Sequence, residues 1–199
     1  WSSCVLPGST ARIAAEPAAM TPTAPLFDEL TLPCGVTLKN RLAKSAMSDS
    51  LGDGRGNPTA TQIRLYERWA AGGAALCIIG EVQGDPLAAE KPSNLVLGPQ
   101  SDTVMLRQLT RAGSLNGTLL FAQLGHAGAM THPPIGTPKG PSALSLPGLT
   151  CAALTLDEIA GLPAQFAATA HLAKAVGFGG VQIHAAHGFL LNQFLSPLF

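Results

Sequence analysis

Two of the five histidines in the chain lie close together in the segment VQIHAAHGF, residues 181–189. His184 ends a short apolar run, and His187 follows three residues later. No carboxylate or cysteine stands near them in the sequence to complete a metal site. Two imidazole N–H groups that converge on one carbonyl or phenolate oxygen would stabilise negative charge on that oxygen. The structural alternative is a pair of loop histidines that bond to backbone carbonyls.

A third polar residue, Gln123, ends the apolar run TLLFAQLGH. A side-chain amide offers donors and an acceptor at once, which suits the pyrimidine edge of a flavin. The alternative is a polar residue with a structural hydrogen bond at the end of a strand. The same structural interpretation is preferred for His126, His132 and Glu81.

The order of apolar runs and helical patterns indicates the elements that position these residues. A small hairpin is expected between Leu30 and Leu38, and strands and helices then alternate. The expected strands are 41–47, 74–82, 118–126 and 181–189, and the expected helices are 59–73, 102–117 and 155–180, with 133–148 as a loop. The capping box of Thr155 and Glu158 opens the last helix, and Pro163 is expected to kink or restart it.

Strands that are apolar throughout and alternate with helices are typical of a parallel sheet with helical crossovers. This pattern leaves two α/β folds open, a (β/α) barrel and an open doubly wound sheet. No GxGxxG follows the first strand, which weakens the dinucleotide-binding form of the open sheet. In barrels, functional residues lie where strands end. We therefore expect one common face to carry the residues at the four strand ends: Met47, Ser48, Gly80, Glu81, Gln123, His126, His184 and His187.

The composition excludes several classes of partner. Hydrophobic residues make up 46% of the chain and charged residues 12%, and the formal net charge is zero. Such a balance does not favour nucleic acid or an anionic membrane surface, and no run of about twenty apolar residues predicts a membrane span. The four cysteines form no CxxC pair, so neither a zinc site nor a redox dithiol is indicated. Thiols of this kind favour a reducing, cytoplasmic compartment.

Three segments resemble a known enzyme family: TLKNRLAKSAM, AQLGHAGAM and GFGGVQIHAAHGFLLNQFLSPLF. They are similar to the Old Yellow Enzyme family of FMN-dependent ene-reductases (NADH:flavin oxidoreductases), from about Leu26 to Phe199. The resemblance implies a TIM (β/α)8-barrel with FMN at its C-terminal face. Residues 26–199 would form its N-terminal half, with the hairpin and about four β/α units, and residues 1–25 a disordered extension in which Met20 is an alternative start.

The resemblance implies a role for each matching residue. It assigns His184 and His187 to the carbonyl oxygen of a small, enone-like substrate. It assigns five residues to FMN: Ala46, Met47, Ser48, Gly80 and Gln123. The implied reaction passes hydride from NADH or NADPH through FMN to the β-carbon of an activated alkene. A homo-oligomer is left open.

Three positions depart from the family pattern. Phe189 stands where the family usually has the tyrosine that protonates the α-carbon, Ala129 replaces an arginine, and Ala46 replaces a proline. The chain also ends after the fourth expected strand, so it is expected to be part of a longer enzyme. The departures favour a second hypothesis, a non-catalytic half-barrel or pseudoenzyme, whereas Gln123 and the histidine pair favour the enzyme.

Overall fold

The computed structural model of the protein describes residues 24–199. The expected extension 1–25, with Met20, lies outside these residues except for its last two, which begin the first helix. The elements of the described part are, in chain order, α1 (Ala24–Phe27), β1 (Leu30–Thr31), β2 (Thr37–Leu38), β3 (Ala43–Lys44), α2 (Ala60–Ala71), β4 (Leu76–Gln83), β5 (Leu95–Val96), α3 (Thr103–Gly113), β6 (Leu119–Gly125), β7 (Lys139–Gly140), β8 (Leu144–Leu146), β9 (Leu149–Ala153), α4 (Leu156–Ala175), β10 (Gly180–Ile183) and α5 (Leu190–Gln193).

The main sheet is parallel, with strand order β10-β6-β4-β3, and β5 extends it beside the end of β4. This confirms the expected alternation of parallel strands and helices, and β1 and β2 form the expected antiparallel hairpin. The outer strands β3 and β10 are shorter than expected. Because β10 ends at Ile183, His184 and His187 lie in the loop after the strand.

The core lies between this sheet and helices α2, α3 and α4. Leu120, Ala122 and Leu124 alternate along β6 and are completely or almost completely buried in it. The period of two along a strand places the residues between them on the opposite face. Tyr66 of α2 and Leu106 of α3 fill the helix side of the core.

One detail of the helices differs from expectation. Pro163 was expected to kink or restart the last helix, and it does not restart it, because α4 is one helix of 20 residues. The capping box of Thr155 and Glu158 is present, and together with packing on the sheet it outweighs the hydrogen bond that proline cannot donate.

The expected loop 133–148 is partly wrong, because β7 and β8 lie within it. Both pair with β9 to form a small three-stranded sheet of order β7-β9-β8. Pro147 and Gly148 turn the chain between β8 and β9, and Gly148 has a φ of +82° that favours glycine. The many prolines and glycines of this segment are typical of loops, so the sequence did not predict these short strands. Within residues 24–199, no helix is long and apolar enough to cross a membrane.

Candidate active site

Gly80 of β4 lies directly beside the segment that follows β3. The Gly80 N–H donates to the Met47 carbonyl at 3.2 Å. A Cβ on Gly80 would lie 2.5 Å from the Met47 carbonyl carbon, so a side chain there would force the two strands apart. Met47 is half exposed, and Ala46 beside it is partly buried. The glycine therefore lets the backbone at Met47 lie directly against β4.

Ser48 follows directly and carries an unusual hydroxyl. Its Oγ is buried and makes no hydrogen bond within the described residues. A buried polar atom without a partner carries a desolvation cost of about 1–3 kcal/mol. Such an atom at this edge is available to a ligand.

Gln123 lies on the face of β6 opposite the helices. Its Nε2 donates to Gln182 Oε1 of β10 at 2.9 Å, and its Oε1 accepts from the Glu81 N–H at 3.4 Å. Gln123 and Gln182 are paired residues in the ladder between the two strands. Gln182 is therefore a further candidate site residue, which the sequence did not single out although it lies only two residues before His184.

Glu81 lies at an irregularity of β4, where the register with β6 shifts between Ile79 and Val82. Its φ of +55° is a strained value for a residue with a side chain. Its carboxylate accepts from Asn94 Nδ2 at 3.1 Å and acts electrostatically on His184. Glu81 therefore lies near both Gln123 and His184, and its hydrogen bonds agree with the structural interpretation.

The two histidines come together in the turn after β10. Their ring centroids are 5.2 Å apart and the rings are nearly perpendicular. His184 is only 4% exposed, whereas His187 is exposed to solvent. His184 Nδ1 accepts from the Ala186 N–H at 3.3 Å, so in the neutral ring the proton lies on Nε2, which can donate to a ligand.

Burial lowers the pKa of His184, the nearby charge of His187 lowers it further, and Glu81 opposes both effects. The usual value of a histidine is 6.5, so His184 is a neutral ring at pH 7. A neutral imidazole can donate one hydrogen bond to an oxygen. It is therefore suited to stabilising charge rather than to giving up a proton.

Phe189 packs its ring edge-on against His184, with centroids 4.9 Å apart, and is 5% exposed. The chain's one tyrosine, Tyr66, does not replace the missing hydroxyl. It is fully buried on the helix side of the sheet, where burial raises its pKa well above the usual range. Neither ring can protonate a substrate carbon.

Two other expected features lie nearby. Ala129, at the position of the family's arginine, is buried and lines a cavity of about 770 Å³ with Met130 and Gly188. His126 makes a structural hydrogen bond, since its Nδ1 accepts from the Gly128 N–H at 3.0 Å. Within residues 24–199 no group of three potential metal ligands is found.

The sequence profile of the NADH:flavin oxidoreductase / NADH oxidase family matches residues 25–199. The chain belongs to this family. It is 34% identical over 191 residues to an NADH-dependent flavin oxidoreductase, iliE, of Hypocrea jecorina, covering 84% of this chain and 48% of the relative. An NADPH dehydrogenase of Clostridium acetobutylicum is 30% identical, and the match covers 87% of this chain and 51% of that relative. The Old Yellow Enzyme homologue of Zymomonas mobilis superposes with a TM-score of 0.77 at 28% identity, with 86% and 51% covered.

These comparisons confirm the resemblance to the Old Yellow Enzyme family and the barrel fold. Strands β3, β4, β6 and β10 are four strands of a TIM barrel, and the chain spans about half the length of these three relatives. The family uses FMN with a nicotinamide reductant. Two residues at the carboxyl edge fit that cofactor: the buried Ser48 Oγ has no hydrogen-bond partner within the described residues, and Gln123 has a side-chain amide at the edge.

Proposed function

We propose that this chain supplies the flavin-facing and substrate-facing residues of an ene-reductase that uses NADH or NADPH to reduce an α,β-unsaturated carbonyl compound. The observation that carries the proposal is the pairing of His184 and His187 at the strand edge that also holds Gln123. An oxygen-binding pair beside a flavin-type amide suits a substrate whose carbonyl gains negative charge as its double bond is reduced.

The residues proposed to bind FMN offer it different chemical groups. FMN, when bound, supplies the hydride chemistry. Gln123 offers its amide to the pyrimidine edge, and the Ser48 hydroxyl gains the partner it lacks in the protein. Gly80 would face the ring, and Ala46 and Met47, which follow β3, would offer backbone groups. All five residues are proposed ligands of FMN.

The histidines act on the substrate oxygen. The neutral His184 donates from Nε2, and His187 approaches the same oxygen from the exposed side. Two donors held in place before the reaction stabilise charge as it develops, because they need no reorganisation. Withdrawing electrons towards the oxygen makes the β-carbon electrophilic.

Phe189 sets a limit on this activity. A ring without a hydroxyl cannot protonate the α-carbon, so that proton has to come from solvent. We therefore expect slow turnover with enones, limited by carbon protonation, and normal reduction of the flavin by the nicotinamide. This behaviour separates the proposal from a non-catalytic half-barrel, which would turn over neither substrate.

The test uses the protein expressed from its complete reading frame and purified with its flavin. Anaerobic NADH or NADPH should bleach the flavin absorbance, and 2-cyclohexen-1-one should restore it with formation of cyclohexanone. His132→Ala serves as a matched control for histidine removal outside the pair. A protein that carries no flavin would support the non-catalytic alternative, and a flavin reoxidised only by oxygen would contradict the enone assignment.

A further inference from the structure

The histidine turn is held by two side chains of α5 that the proposed reaction does not use. His187 and Gly188 both have left-handed backbone, with φ of +58° and +77°. For His187 this conformation is disfavoured, because its Cβ crowds the following carbonyl. A disfavoured backbone persists only where its surroundings enforce it.

Asn192 and Gln193 hold the Gly188 residue from both sides. Asn192 Oδ1 accepts from the Gly188 N–H at 2.9 Å, and Gln193 Nε2 donates to the Gly188 carbonyl at 2.7 Å. Both polar backbone groups of the residue next to His187 are therefore bound by side chains.

Gln193 also contacts the loop that follows β6, the strand that carries Gln123. Its Nε2 donates to the Ala127 carbonyl at 3.2 Å, and its Oε1 accepts from the Ala129 N–H at 3.1 Å. The side chain is 1% exposed, so its three hydrogen bonds are made away from water. Gly128 has no side chain at this point, where a Cβ would lie 2.5 Å from Gln193 Oε1.

We propose that Asn192 and Gln193 are positioning residues, which together fix the direction of the His187 imidazole relative to the loop after β6. The hold on the His187 ring is a property of the folded protein alone. The effect of Asn192 and Gln193 on the reaction rests on the function proposed above. Loss of either side chain would let the His187 turn relax towards an ordinary backbone conformation. The ring would then leave the place where it shares an oxygen with His184.

The first test measures binding of 4-hydroxybenzaldehyde to the flavin-loaded, full-length protein, together with kcat and KM for the enone. A misplacement of about 1 Å can cost on the order of 10²-fold in rate. Gln193→Leu should therefore lower kcat/KM about 10²-fold and weaken phenol binding, with flavin content retained. Thr110→Val is the matched control, because Thr110 makes an equally buried bond to the Val176 carbonyl far from the carboxyl edge. It should lower stability without changing phenol binding.

Asn192→Ala keeps the test decisive if Gln193→Leu does not fold. Asn192 is only partly buried, and the change removes just the acceptor of the Gly188 N–H. NMR with labelled histidine then reports the contact between the His184 and His187 rings without any flavin chemistry. Loss of that contact and weaker phenol binding would support the proposal. An unchanged ring contact with unchanged phenol binding would overturn it, whereas a wild-type protein that shows the contact but binds no phenol would instead refute the proposed function.

Discussion

Replacing Phe189 by tyrosine is predicted to restore a proton donor to the site. The Phe189 ring lies edge-on to His184 at 4.9 Å and is 5% exposed, so a tyrosine ring can keep the same packing. A positioned acid contributes about 10²–10⁴-fold to the step it serves, or about 3–5 kcal/mol of barrier at 1.36 kcal/mol per tenfold. We expect the rate of flavin reoxidation by the enone to rise by about 10²-fold.

Phe189→Tyr is also expected to lower the free energy of unfolding, because Phe189 is buried. A hydroxyl that reaches no partner in a buried place costs about 1–3 kcal/mol. Denaturant unfolding should therefore show a loss within this range, and a smaller loss would mean that the hydroxyl has found a partner. Phe178→Tyr is the control, since Phe178 is 3% exposed but lies in the core on the helix side. It should lose stability and gain no rate.

Stopped-flow measurement of the two half-reactions separates the outcomes. Reduction of the flavin by NADH or NADPH involves no protonation of a substrate carbon and should not change in Phe189→Tyr. If both half-reactions become faster together, or if neither changes, Phe189 is not at the position of the proton donor.

Three further predictions concern packing, pH and the isolated chain. Gly80→Ala should lower the free energy of unfolding by about 1–3 kcal/mol through overpacking against Met47; the control Gly161→Ala, in open space on α4, should raise it by about 1 kcal/mol. Burial lowers the pKa of His126 from 6.5, so the unfolded state binds its proton more readily and His126 destabilises the fold as the pH falls below 6.5. His126→Asn should therefore reduce the loss of stability between pH 7 and pH 5. An unchanged dependence of stability on pH would contradict this. The 199-residue chain expressed alone should self-associate, because β3 and β10 form the two open edges of the main sheet within the described residues. It should also be colourless, because barrel phosphate sites follow the seventh and eighth strands. A soluble, yellow monomer with one FMN would contradict both expectations.

The central strands were predictable because their pattern is continuous. Expected strands 74–82 and 118–126 correspond to Leu76–Gln83 and Leu119–Gly125, because a central strand of a parallel sheet with helical crossovers reads as a nearly continuous apolar run. The outer strands were predicted too long. Each has only one neighbour in the main sheet, and their regular pairing stops after two and four residues.

The location of the candidate site was predictable only where residues lie near the end of a strand. Gln123 lies two residues before the end of β6 and the two histidines follow β10, which are the places expected from the strand ends, while their roles stay predictions. Gln193 was not predictable, because its partners Ala127 and Ala129 are 66 and 64 residues away in sequence. Short-range pattern carries no signal for such a contact.

The most direct test of the proposed function is a titration of the flavin-loaded, full-length protein with 4-hydroxybenzaldehyde, monitored by its long-wavelength charge-transfer band. Removing one oxyanion-type donor costs on the order of 10²–10³-fold. The double variant His184→Ala/His187→Ala should bind the phenol at least 10²-fold more weakly and lose the band, while it keeps its flavin and while His132→Ala behaves like the wild type. Equal affinity in the double variant and the wild type would show that the two histidines do not hold the substrate oxygen.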